Sequence, residues 1–137
     1  MLPEWAAEYV GWPYRPGGRS RDGVDCWGLL LLVWRERFGF HAPVFGDVSY
    51  LGRNDTDLVA RSITEGARSL CDAVPCGEEQ AGDACLLRLR GHPLHIGLCV
   101  TPGMMLHATD SAGSVIESYR GVLWEKRVLS WWRPRFG

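Results

Sequence analysis

The order of local patterns along the chain predicts an α+β fold, with helices in the first half and antiparallel strands in the second. Two observations carry this. Apolar residues recur at helical spacing after Asp25 and again in "TDLVARSITEGARSL". After Gly77 the chain changes to short strand-like segments punctuated by Gly91, Pro102-Gly103 and Ala112-Gly113. Helices followed by a run of antiparallel strands define the α+β class.

The first segment, "LPEWAAEYVGW", suits a short helix with Pro3 in its first turn, stopped by Gly11 and Pro13. "YRPGGRSRDG" has the composition of an irregular loop, because its glycines permit positive φ and close backbone approach. From Asp25, the residues Cys26, Leu29, Leu30, Val33, Trp34 and Arg37 recur at helical spacing and Gly39 follows as a stop, which places Cys26 in a first helical turn. "HAPVFGDVSYLGRND" reads as a loop. Asp55 or Thr56 then caps a second amphipathic helix whose Leu58, Ile63 and Leu70 share roughly one face. The predicted strands are "DACLLRLR", "PLHIGLCVT", "MMLHATD", "SVIESYR" and "RVLSWWRPR".

The 137 residues suit a single domain, 1–137, with a core large enough to need neither disulfide nor metal. With 46% hydrophobic and 23% charged residues, the composition is that of a folded globular chain. A net charge of -1 gives no basic field to hold nucleic acid or an anionic bilayer, so nucleic acid is not expected as a partner. Five cysteines without C-x-x-C spacing argue against a disulfide framework and a zinc ribbon. The start "MLPEWAAEYVGW" lacks the features of a signal peptide, and no apolar run reaches membrane-spanning length, so neither export by a leader of its own nor membrane insertion is expected.

A thiol attacks as thiolate, and a helix N-terminus favours negative charge through its unpaired N–H groups and dipole. Cys26 has that location. Of the four histidines, His95 lies within a predicted strand and is followed two residues later by Gly97, which would let another element approach. His107 lies in the next strand, where hairpin pairing can bring it beside His95 to fix that ring's tautomer. His92, His95, Cys99 and His107 are poorly spaced as metal ligands, since His92 and His95 should point to opposite faces of a strand; no metal and no cofactor is expected.

These segments together, "PYRPGGRSRDGVDCWGLL", "HIGLCV" and "MMLHAT", resemble the signature of the NlpC/P60 cysteine peptidases. The spacing agrees: Cys26 lies twelve positions after Tyr14, and His107 lies twelve after His95. The resemblance implies a papain-like fold with the nucleophile at a helix N-terminus packed on an antiparallel sheet. It implies Cys26 as nucleophile, His95 as general base and His107 as the third, orienting residue. It further implies substrate-binding roles for Tyr14, near the thiolate, and for Asp25, which would face the free amine of a peptidoglycan stem peptide. The implied bond joins D-glutamate to a diamino acid.

Trp27 stands where many members carry Ser, and is expected to shape the substrate pocket. The D-C-W-G-L-L variant and the "WWRPRFG" stretch resemble the branch of the family found in tailed bacteriophages and gene-transfer agents. That branch implies a protein made in the bacterial cytoplasm and acting at the wall from a virion tail tip, with other tail-tip proteins as partners.

Blander roles stand beside these. Cys26 alone would be a buried hydrophobe, His95 a hydrogen-bonded core residue and His107 a polar strand end. Tyr14 can simply pack the loop against the core, and Asp25 can simply cap the helix, a role compatible with substrate contact. Cys71, Cys76, Cys85 and Cys99 read as packing residues, as do Trp124, Trp131 and Trp132. Two alternatives of other classes remain: a structural tail-tip subunit that keeps the fold, and a cellular amidase or acyltransferase of related fold.

Overall fold

In a computed structural model, residues 2–42 and 56–135 are described. The chain begins with a 3-10 helix, Glu4–Tyr9, and a two-residue ladder of β1 (Arg19–Ser20) and β2 (Gly23–Val24). Helix α1 (Cys26–Phe38) follows, then α2 (Thr56–Leu70). The strands are β3 (Cys71–Val74), β4 (Ala84–Leu89), β5 (His92–Thr101), β6 (Met104–Thr109), β7 (Gly113–Ser118) and β8 (Val128–Pro134). These six form one antiparallel sheet in the order β3-β8-β4-β5-β6-β7. The predicted α+β class and all five predicted strands are present.

Helix α1 starts and stops where local chemistry requires. The Asp25 carboxylate accepts a hydrogen bond from the Gly28 amide at 2.6 Å, capping the N-terminus. Gly39 ends the helix in the left-handed region at φ 66°, and Arg35 and Arg37 occupy the last turn, where the dipole favours cations. Its first nine residues, Leu31 excepted, are buried nearly all round, so α1 is a central helix rather than a surface one. It lies against β5 and β6.

Side-chain alternation divides the sheet. Leu86, Ile96, Leu98 and Leu106 join Leu29, Leu30, Val33 and Trp34 in the main core. The alternate rows contribute Cys85, Leu87, Cys99 and Met105 to a second cluster with Tyr119, Trp124 and Trp131. Arg133 fastens β8 to the start of β4, its Nε and Nη2 donating to the buried Asp83 carboxylate at 3.0 and 2.9 Å.

Two expectations change, and a third falls outside the described residues. The loop read as irregular contains the β1–β2 ladder. Strand β3 was not foreseen, because "CDAV" follows α2 without a break and is made a strand by pairing with β8. The expected cap at Asp55, and most of the "HAPVFGDVSYLGRND" loop, lie outside the described residues, as does the Leu58 side chain; Ile63 and Leu70 of α2 are buried.

Candidate active site

The candidate residues fall in two groups, one at the mouth of α1 and one on β5 and β6, two strands that α1 lies against. At the mouth, Cys26 is the first residue of the helix and is 6% exposed. Asp25, which precedes it, is completely buried. Its Oδ2 accepts from the Gly17 amide at 2.7 Å, and both carboxylate oxygens lie 2.9 Å from Arg19 Nη1. Gly18 crosses so close to the first turn that a Cβ on Gly28 would stand 2.0 Å from the Gly18 carbonyl oxygen. Glycine is therefore required at position 28 by proximity alone.

This arrangement has an electrostatic consequence. A carboxylate one residue from a thiol opposes the thiolate, but Arg19 neutralises the Asp25 charge. The field of the helix start is thus left to favour the anion. The Asp25 oxygens are engaged by the chain's own donors and shielded from solvent, so the carboxylate caps and clamps the first turn.

On the sheet, His95 and His107 are both buried, at 5% and 0% exposure. Nε2 of His95 lies 2.7 Å from Nδ1 of His107. The two are not directly opposed. The register pairs Leu98 with Leu106, so it is Gly97 that stands across from His107. A Cβ on Gly97 would meet the His107 Cβ at 3.4 Å and the Met105 sulfur at 3.1 Å, so the glycine opens the diagonal along which the rings meet. Trp124 walls the pair, stacked on His95 at 5.6 Å between centroids and edge-on to His107 at 5.1 Å. Nε2 of His107 lies 2.9 Å from Glu117 Oε1.

Burial, and secondarily the nearby His107, pushes the His95 pKa down to about 3. Burial also lowers that of His107, against the pull of Glu117. At neutral pH both rings are neutral, and His95 is a base with a proton to gain.

Among the remaining expected residues, Tyr14 is half-buried, bridges to Val24 and packs on the main core. Trp27 is 3% exposed. Its ring lies over Gly66 of α2, 3.0 Å from where a Cβ would be, so it packs at the interface with that helix. Three residues that shape the site were not foreseen: Arg19, Glu117 and Trp124. Arg19 sits in a loop of mixed charge with no local pattern to single it out, and Glu117 and Trp124 reach the histidines only through strand register and a turn.

A model of the NlpC/P60 family matches residues 11–133. The chain belongs to the NlpC/P60 family. Among curated NlpC/P60 relatives it is 28% identical over 121 residues to Murein DD-endopeptidase MepS/Murein LD-carboxypeptidase of Escherichia coli K12, covering 88% of this chain. The chain spans about half of that relative, 55% of its length. It is 30% identical over 137 residues to a probable endopeptidase of Haemophilus influenzae, covering 98% of this chain and 72% of the relative. Among solved structures, the NlpC/p60 domain of the peptidoglycan hydrolase SagA superposes with a TM-score of 0.64 at 20% identity, covering 93% of this chain and 91% of that one. A Staphylococcus aureus NLP/P60 protein gives a TM-score of 0.67 at 21% identity, covering 96% and 39%. These two establish the NlpC/P60 fold.

Proposed function

We propose that the protein is a cysteine endopeptidase that cleaves stem-peptide amide bonds of peptidoglycan, with Cys26 as nucleophile, His95 as general base and His107 as the residue that orients it. The observation that carries this reading is the buried His95–His107 pair, 2.7 Å apart, on the two strands that α1 packs against, with Cys26 in that helix's first turn. The relative named as a murein endopeptidase supports peptidoglycan as the substrate class.

The chemistry follows from the two parts. Nε2 of His95 is engaged by His107, which leaves Nδ1 to take the thiol proton. The Cys26 sulfur attacks the amide carbonyl carbon, and the oxyanion that forms is stabilised by amide N–H groups at the start of α1. The His95 imidazolium, strongly disfavoured by burial, returns its proton to the leaving amine as the C–N bond breaks. Water, deprotonated by His95, then attacks the thioester and releases Cys26 and a carboxylate.

The finer reading takes the D-glutamyl to diamino-acid bond as the one cut and a phage-like tail tip as the place of action, with tail-tip proteins as partners. Support for the latter is the D-C-W-G-L-L sequence and the Trp- and Arg-rich "WWRPRFG" stretch. Incubation of the chain with defined muropeptides, followed by mass spectrometry, tests the activity. Products carrying a new amine on the diamino acid are expected; intact muropeptides would refute it. Detection of the chain in purified tailed particles tests the location, and its absence from them would count against it.

A further inference from the structure

Glu117 of β7 is half-exposed, yet both its oxygens point inward. Oε1 lies 2.9 Å from Nε2 of His107, and Oε2 accepts from Trp124 Nε1 at 3.4 Å. The residue thus holds both the orienting histidine and the aromatic wall stacked on His95.

The hydrogen bonds form a chain whose direction is fixed at one end. An ionised carboxylate can only accept, so Nε2 of His107 carries the hydrogen. A neutral imidazole has one N–H, and Nδ1 of His107 is then an acceptor. The nitrogen 2.7 Å away, Nε2 of His95, must donate to it. With its single hydrogen placed on Nε2, His95 has its lone pair on Nδ1, the nitrogen left to take a proton. Burial keeps both rings neutral at pH 7, which the one-hydrogen count requires.

We propose that Glu117 is a positioning residue which, through His107, selects the tautomer of His95 that leaves Nδ1 basic. This rests on the reading of His95 as the general base. It adds to the proposed machinery a carboxylate that acts through His107.

Long-range 1H–15N correlation spectra of the full chain at pH 7 read the tautomers directly. Hydrogens on Nε2 of both His95 and His107 are expected; a hydrogen on Nδ1 of His95 in the parent chain overturns the proposal whatever any variant does. Glu117→Leu removes the acceptor and should give mixed tautomers at both rings, with kcat on muropeptides down by about 10- to 100-fold and KM within about twofold, the scale of losing an outer orienting partner. Glu117→Gln keeps an acceptor oxygen and should recover part of the loss. A Leu variant as fast as the parent, or one that is slower with its tautomers unchanged, overturns the proposal. A parent chain that cleaves nothing refutes the peptidase reading alone, because the spectra still decide what Glu117 does.

Discussion

The helix mouth and the histidine pair solve opposite electrostatic problems. At the mouth, a buried carboxylate is surrounded by donors: Arg19 and the amides of Gly17 and Gly28 all reach Asp25. On the sheet, two imidazoles are kept uncharged by burial against Trp124. The difference also concerns distance along the chain. The side-chain partners described for Asp25 lie within residues 17–28, whereas the histidine cluster gathers residues 95, 107, 117 and 124 from three strands and a turn. A nucleophile benefits from a field that favours an anion, and a base benefits from an environment in which its cation is a brief, high-energy state that passes the proton on.

The largest effect should come from removing the base. His95→Gln is expected to lower kcat on muropeptides by at least about a thousandfold, the scale of losing one member of a nucleophile–base unit. A variant with more than a tenth of parental activity would break the comparison at the sheet.

At the mouth the expected losses are of stability. Gly28→Ala forces a Cβ into the Gly18 carbonyl and should cost about 3 kcal/mol in urea unfolding, the upper range for overpacking. Asp25→Ala removes a cap and leaves the Gly17 and Gly28 amides without their acceptor, for about 2 kcal/mol. Unchanged midpoints would mean that the loop does not clamp α1 as described.

Acid sensitivity separates the two parts more gently. His95 and His107 titrate lower in the folded than in the unfolded chain, so between their folded values and about 6.5 the unfolded state binds more protons. Stability should therefore fall as pH drops from about 6.5 towards 3, and the slope should flatten in His95→Gln. An equal slope in that variant would show that His95 contributes nothing to the acid limb.

This contrast also explains what could be read from the residues in order. Asp25, the apolar run and Gly39 encode α1 locally, and the mouth was legible down to its cap. The role of Asp25 as a clamp was not, because it depends on Arg19 folding back across the first turn. His95 and His107 were legible as partners, but their diagonal meeting beside Gly97 depends on register. Glu117 and Trp124 depend on register as well, one strand further out. Trp27 could not be placed from its neighbours, since what covers it is Gly66 of a helix forty residues on. Strand β3 exists only because β8 pairs with it.

The central claim, that Cys26 carries the chemistry, is tested most directly by titrating the chain with iodoacetamide while following site-resolved mass and muropeptide cleavage together. The thiols of Cys71, Cys85 and Cys99 are buried and pushed up in pKa by that burial, to about 12 for Cys71 and Cys99, and should stay unmodified in the folded chain. Exposed Cys76 supplies an internal reference for a solvent-accessible thiol. Cleavage should fall in one-to-one proportion to alkylation of Cys26, faster than Cys76 is modified. Full activity with Cys26 alkylated, or loss of activity with Cys26 intact, would contradict the account.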